Sequence, residues 1–250
     1  MTARAMLSIE PREDSHATGV DVQAVADRIA GRISQAVLDP APSPNFYIED
    51  VFPPELYREM LARMPRDEAL DFIVHPDAVA AEGRVTRKLL DLTEKTLARL
   101  DSEDRAFWRE MMAVFTSETL QDAVAETFRP SLEEQFGADR PAMVSTPVFY
   151  RDFAGYRISV HPDAAYKVAT LQFYLPADES QIHLGTTFHE RTAQGFRELK
   201  TNPFKPNSAY GFVRTENSWH SVKELGPREA TRNTIALTFY HRGMQYRSAM

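Results

Sequence analysis

Cysteine is absent from the 250-residue sequence, which excludes disulfide bonds, iron–sulfur clusters, zinc ribbons and cysteine nucleophiles. Any bound metal must therefore be held by histidine, aspartate or glutamate. An excess of basic charge is also missing. The formal net charge of −7 argues against broad binding to a phosphate backbone, so we expect no nucleic-acid partner.

Long apolar runs are lacking as well. No stretch approaches the roughly 18 consecutive apolar residues of a membrane span, so no membrane partner is expected. The opening MTARAMLSIEPREDSHATG has no apolar segment of signal-peptide length, and we expect a cytoplasmic protein. Hydrophobic residues make up 43% of the chain, which is enough for a packed core, whereas nothing indicates an oligomeric state.

The hydrophobic pattern changes from a helical period to a strand period along the chain. Residues 1–20 are polar, and we predict a disordered arm there. Residues 21–140 are predicted to be mainly helical support. The elements predicted within them are a helix over 21–38 capped by Asp21, a strand over 46–51, a helix from Pro54 to Met64 and helices over 102–115 and 117–136.

Residues 141–245 instead show many short runs rich in β-branched and aromatic residues, separated by turn-forming residues. The predicted strands are Val144–Arg151, Tyr156–Val160, Ala169–Leu175, Thr186–Phe188, Ala209–Val213, His220–Val222 and Asn233–Tyr240. This spacing is typical of a β-sandwich or barrel. Because no linker-like segment divides the two halves, we predict a single α+β domain over residues 21–250.

The seven histidines are the main candidate metal ligands in this cysteine-free chain. One motif occurs twice, as His75-Pro76-Asp77 and as His161-Pro162-Asp163. Residues i and i+2 of a strand point to the same face, so a His and an Asp at this spacing can converge on one ion. With a second His from a neighbouring strand they would form the two-His, one-carboxylate set of non-haem Fe(II) oxygenases.

Strand context separates the two motifs. His161 follows an alternating strand, whereas His75 lies in a segment with no assigned structure, where Pro76 is interpreted as a helix start. We therefore select His161 and Asp163 as ligands.

The third ligand is assigned to His220, because it lies in an apolar-flanked short strand, NSWHSV. His183 and His189, in a turn-and-strand segment, could face the same cavity but lack that setting. Downstream, Arg232 begins RNTIALTFY and offers a bidentate fork for a carboxylate, which suits a dicarboxylic cosubstrate. The alternative for Arg232 alone is a surface charge at the start of a strand.

From about residue 148 to 240 the chain resembles the double-stranded β-helix core (jelly-roll, cupin-like) of the Fe(II)/2-oxoglutarate-dependent dioxygenases, especially their prolyl-hydroxylase-like branch. The resemblance is carried, in order, by FYRDFAGYRISVHPD, KVATLQFYLP, HLGTTF, YGFV, WHSV and RNTIALTFY. The segment FYIEDVFPPELYREMLARMP is similar to the strand and helix that precede this core. The resemblance implies a β-helix in the C-terminal half, packed by the N-terminal helices.

The resemblance also implies that His161, Asp163 and His220 bind Fe(II). A carboxylate at Asp163 favours hydroxylation or a related two-electron oxidation, since halogenating relatives have a small residue at that place. The implied reaction consumes O2 and 2-oxoglutarate and releases succinate and CO2.

For the cosubstrate, the resemblance implies that Arg232 forms a salt bridge with the C5 carboxylate of 2-oxoglutarate. Tyr174 would place its hydroxyl on the same carboxylate, with a core aromatic as the alternative. Tyr150 corresponds to a tyrosine of the cosubstrate pocket, and Thr234 to a second hydroxyl in some relatives.

The expected substrate is a small molecule, such as an amino acid or a carboxylated metabolite, that is hydroxylated at a C–H bond. Peptidyl or protein prolyl hydroxylation is the enzymatic alternative. A non-catalytic cupin-like binding module and a dioxygenase that does not use 2-oxoglutarate also stay open.

Overall fold

The computed structural model describes residues 19–73, 75, 78–80, 82–137 and 141–242. The predicted arm therefore lies outside the described residues up to residue 18, as do Pro76 and Asp77 of the first His-Pro-Asp motif. The helices are α1 Val22–Ser34, α2 Pro54–Ala62, α3 Glu94–Leu97, α4 Ser102–Phe115, α5 Glu118–Thr127 and α6 Arg129–Phe136. The strands are β1 Asn45–Glu49, β2 Asp71–Phe72, β3 Arg87–Asp91, β4 Met143–Asp152, β5 Ile158–His161, β6 Lys167–Tyr174, β7 Thr186–Thr192, β8 Gly195–Thr201, β9 Ser208–Val213, β10 His220–Val222 and β11 Arg232–His241.

Local signals in the sequence account for the helix boundaries. The side chain of Asp21 accepts a hydrogen bond from the amide of Ala24, which confirms its predicted role as the cap of α1. Pro54 is the first residue of α2, where its missing N–H costs nothing. The single helix predicted over 117–136 is divided at Phe128, because Pro130 has no amide with which to continue α5.

The strands form two antiparallel sheets in the described part of the chain. The larger sheet has the order β1-β9-β6-β11-β4-β3-β2, and the smaller has the order β5-β10-β7-β8. Strands β2, β3 and β8 were not predicted. Strand β8 is exposed along most of its length and lacks the alternation of a half-buried strand, while β2 and β3 lie in the segment without a clear period.

The side chains of β11 point alternately to the two faces of the larger sheet and show what covers each face. Ile235, Leu237 and Phe239 belong to the main core, which includes the buried faces of α1, α4 and α5. Ala236 and Thr238 point the other way and line a cavity to which both sheets contribute. The helices thus cover one face of the larger sheet and the smaller sheet covers the other, which confirms the predicted α+β class.

Among the described helices, none combines the length and the apolarity needed to cross a bilayer.

Candidate metal and cosubstrate site

The predicted metal ligands meet where β5 and β10 pair. His161 and His220 are direct register partners, and their ring centroids lie 4.4 Å apart. Asp163 follows two residues after the end of β5. One ligand atom from each of the three residues lies within 4.8 Å of the other two, so the three side chains can converge on one ion.

Backbone carbonyls fix the tautomer of both histidines. Nδ1 of His161 lies 2.8 Å from the carbonyl oxygen of Ser159, and Nδ1 of His220 lies 2.9 Å from that of Ser218. A carbonyl oxygen only accepts, so Nδ1 is the donor in both rings, and in the neutral form of each ring the lone pair for a metal lies on Nε2. Burial lowers the pKa of His220 to about 4, which keeps this ring neutral and able to coordinate a metal at neutral pH.

The third ligand is held as an ionised carboxylate. Burial by itself would raise the pKa of Asp163. The positive charge of Lys167 and the hydrogen bonds that Asp163 accepts outweigh burial and lower this pKa to about 2. Lys167 Nζ donates to Oδ1 at 2.6 Å, and Thr170 Oγ1 donates to Oδ2 at 2.7 Å. Two imidazoles and one oriented carboxylate are a donor set that suits Fe(II).

Arg232 lies at the other end of the same cavity, and its side chain is fully buried. Its Nε donates to the carbonyl oxygen of Leu184 at 2.8 Å, and Nη1 donates to Asp152 Oδ2 at 2.8 Å. Nη2 is buried and has no hydrogen-bond partner in the described part of the chain. Because an unpaired buried donor is costly, this nitrogen fits a site for an anionic ligand.

Gly185 allows the backbone around Arg232 to close. A Cβ at this position would overlap the carbonyl oxygen of Asn202. The two residues beside it both serve the site: Leu184 accepts from Arg232, and the amide of Thr186 donates to the hydroxyl of Tyr174 at 2.8 Å. A close backbone approach that only glycine permits therefore lies directly behind the arginine.

The other predicted cosubstrate residues fall into two groups. Tyr150 lines the cavity. Tyr174 and Thr234 are fully buried but do not belong to the cavity lining. The ring centroid of Tyr174 lies 5.6 Å from Arg232 Cζ. Thr234 Oγ1 accepts a hydrogen bond from Gln172 Nε2 at 2.9 Å. Both hydroxyls are thus engaged by protein groups, and their contact with a cosubstrate stays a prediction.

A polar wall joins residues that the sequence did not single out for the cosubstrate. Thr186 Oγ1 donates to Tyr210 Oη at 2.9 Å, and Tyr210 donates to Gln172 Oε1 at 2.5 Å. All three line the cavity. The sequence pattern indicates the position of Gln172, because it alternates with Tyr174 on β6 and so shares its face. Tyr210, in the apolar run AYGFV, gives no such signal.

The remaining histidines with assigned contacts point elsewhere. His183 is exposed and lies 2.5 Å from Glu229, and His189 Nε2 lies 2.7 Å from Ser221 Oγ. Neither belongs to the cavity lining, in contrast to His220. His75 is exposed in the described part of its segment.

The cavity has a volume of about 120 Å³, well below the roughly 300–1,000 Å³ of pockets for drug-sized ligands. A larger groove of about 440 Å³, lined by Gly155 and Leu225 among others, contains no residue of the metal triad. The volume of the cavity therefore suits a small ligand of cosubstrate size.

Comparison with known proteins gives a fold rather than a sequence family. No protein-family model matches the chain, and no curated protein matches its sequence. Among solved structures, a Pseudomonas putida prolyl-4-hydroxylase is 15% identical with a TM-score of 0.51, covering 87% of this chain and 100% of that one. A Trichoplax adhaerens prolyl hydroxylase, solved with a hypoxia-inducible-factor peptide, is 12% identical with a TM-score of 0.50, covering 88% and 90%.

The α-ketoglutarate-dependent epimerase SnoN from nogalamycin biosynthesis is similar to the same extent, at 12% identity and a TM-score of 0.50, with 90% of this chain and 88% of that one covered. The chain therefore has the fold of the 2-oxoglutarate-dependent oxygenases. The predicted double-stranded β-helix and the fold resemblance to the prolyl-hydroxylase-like branch are confirmed. Identities this low establish the fold alone.

Proposed function

We propose that this protein is a non-haem Fe(II)/2-oxoglutarate-dependent oxygenase in which His161, Asp163 and His220 hold the iron. One observation carries the proposal: the two-His, one-carboxylate set shares a small cavity with a buried arginine that has an unpaired N–H. A triad alone would fit many divalent ions. Arg232 adds a carboxylate-binding group at the far end, which fits a cosubstrate with a metal-binding 2-oxo acid at one end and a second carboxylate at the other.

Fe(II), when bound, supplies the redox chemistry with O2 that converts 2-oxoglutarate to succinate and CO2 and oxidises the substrate. The chain's own residues orient the reactants. Ser159 and Ser218 hold the two histidines through their carbonyls, and Lys167 and Thr170 hold the carboxylate. Arg232 receives the C5 carboxylate, so the cosubstrate can enter in only one direction.

For the substrate we propose a small molecule that carries a carboxylate and is hydroxylated at a C–H bond. One cation supports this class. Lys167 lines the cavity beside Asp163 and is partly exposed, and its ammonium group has N–H donors besides the one that bonds to Asp163. The peptide-bound prolyl hydroxylase among the similar structures makes a proline-containing peptide the alternative.

The test is succinate formation with Fe(II), O2 and 2-oxoglutarate, measured against panels of free amino acids, other small carboxylic acids and proline-containing peptides. We expect the small acids to stimulate turnover, and His161→Ala and Asp163→Ala to abolish it. His183→Ala is the matched control, because this histidine lies outside the cavity.

Stimulation by peptides alone would overturn the substrate class and leave the oxygenase assignment intact. Substrate-dependent oxygen consumption that ignores 2-oxoglutarate would instead identify a different kind of dioxygenase. Turnover retained in both triad variants would refute the metal site, and failure of the wild-type protein to bind Fe(II) and 2-oxoglutarate would indicate a non-catalytic module.

A further inference from the structure

A second arginine shares the aspartate that holds Arg232. Strands β3, β4 and β11 lie side by side, and the register aligns Arg87 with Asp152 and Asp152 with Arg232. Arg87 Nε lies 2.5 Å from Asp152 Oδ1, and Arg87 Nη2 lies 3.0 Å from Oδ2. We call these three side chains the Arg–Asp–Arg cluster.

The Arg–Asp–Arg cluster carries a net charge of +1. Asp152 and Arg232 are fully buried, and Arg87 is 14% exposed. One carboxylate accepts three N–H bonds from two guanidinium groups, each of which stays protonated at any physiological pH. Asp152 can neutralise only one of them. Without Arg87, the buried Asp152–Arg232 pair would be neutral and would attract an anion only weakly.

Arg87 is also held in place by aromatic rings. Its Cζ lies 4.4 Å from the ring centroid of Tyr150 and 4.0 Å from that of Tyr156, close enough for cation–π interaction with both. Arg87 and both tyrosines line the cavity. Nη1 of Arg87 makes no hydrogen bond to any described residue, so each arginine of the cluster keeps one nitrogen available to a ligand.

We propose that Arg87 is a specificity-determining residue that gives this end of the cavity its net positive charge and so selects 2-oxo acids with a second carboxylate. This inference rests on the proposed function. Asp152 is the positioning residue that orients both arginines. Binding of the C5 carboxylate then brings the cluster to zero net charge, whereas an uncharged end would leave the positive charge buried and uncompensated.

The test compares two ligands of equal chain length, 2-oxoglutarate and 2-oxovalerate, which has a methyl group in place of the C5 carboxylate. Their dissociation constants are measured by calorimetry on Mn(II)-loaded protein without oxygen, so that no turnover is involved. We expect wild-type protein to prefer 2-oxoglutarate. Arg87→Gln should weaken 2-oxoglutarate binding roughly 10- to 100-fold, the range for loss of an interaction with a charged group, and leave 2-oxovalerate nearly unchanged.

Charge balance can be tested separately from contact. The double variant Arg87→Gln/Asp152→Asn removes one charge of each sign and returns the cluster to a net charge of +1, and we expect it to recover most of the selectivity. Arg87→Lys keeps the charge and should retain most of it as well. The matched control is Arg109→Gln, which removes an arginine with the same bidentate geometry, toward Glu94 at 2.7 and 2.8 Å, from the exposed face of α4.

Wild-type selectivity in Arg87→Gln would overturn the inference while the proposed function stands. The inference would also be overturned if selectivity were lost in Arg87→Gln and neither the double variant nor Arg87→Lys recovered it, provided that these variants unfold at the wild-type temperature. If Arg87→Gln changed only the KM for the organic substrate, the carboxylate that Arg87 serves would belong to that substrate and the assignment would be wrong. Wild-type protein that binds neither acid would refute the proposed function itself.

Discussion

The two ends of the cavity are built in opposite ways. The metal end rests on the short strands β5 and β10, of 4 and 3 residues, and His161 is partly exposed. The anion end rests on β4 and β11, each of 10 residues, with a salt bridge that is fully buried. The metal end is therefore partly open to solvent at His161, whereas both members of the Asp152–Arg232 pair at the anion end are fully buried.

The largest effect is expected at the metal end. His220→Ala removes one of three ligands, so metal retained after dialysis should fall to background and succinate formation with it. The fold should remain, because β10 is short and its other pairings are main-chain bonds. Atomic emission measures the metal that is retained, and the thermal unfolding midpoint shows whether the fold remains. One equivalent of tightly bound Fe(II) in this variant would disprove the ligand assignment.

Next in size is the loss of the arginine at the anion end. Arg232→Met should abolish measurable 2-oxoglutarate binding while Fe(II) binding is kept, which separates the two ends. The change breaks a buried ion pair, and we expect it to lower the free energy of unfolding by up to about 3–5 kcal/mol, less if Arg87 compensates Asp152. Calorimetry measures the affinity for 2-oxoglutarate, and urea denaturation measures the free energy of unfolding. Loss of metal and cosubstrate together would show that the ends are not independent.

A smaller effect should follow from removing one hydrogen bond to the metal carboxylate. Thr170→Val frees Asp163 Oδ2 and should weaken metal binding roughly 10- to 100-fold, the usual cost of losing a group that orients a ligand. Thr187→Val is the matched control, because its hydroxyl pairs with Thr201 at 2.8 Å and does not line the cavity. Equal metal affinity in the two variants would mean that Thr170 does not orient Asp163.

The smallest effect is expected for an ion pair outside the cavity. Arg109→Gln breaks a bidentate pair with Glu94 that resembles the Arg87–Asp152 pair in geometry but is exposed to water. Screening by solvent makes such pairs contribute little, so the unfolding midpoint and 2-oxoglutarate affinity should match those of the wild type. A clear drop in either would mean that burial is not what distinguishes the two pairs.

The two ends also differ in how far the sequence predicts them. The metal end was predicted because His161 and Asp163 are two residues apart at the end of one strand, a local pattern with a direct geometric meaning. The anion end comes from three separate strands. Arg87 lies in a segment without a clear period, and no local pattern links it to Arg232.

Asp152 could have been found. It alternates with Tyr150 on β4 and therefore shares the face assigned to the cosubstrate, whereas its neighbour Arg151 lies on the opposite face. In the structure Arg151 bonds to Asn233 and Asp67 and does not line the cavity. The fold was predicted to a similar extent. The strands in which apolar and polar residues alternate were predicted, whereas the exposed strand β8 was not.

The most direct test of the metal and cosubstrate assignment is an anaerobic absorbance titration. Fe(II) and 2-oxoglutarate are added in turn, and a charge-transfer band in the visible region is followed. We predict a band that requires both components, saturates at one equivalent of each per chain, and is absent from His161→Ala. Folded wild-type protein that gives no band with both components present would contradict the proposed function.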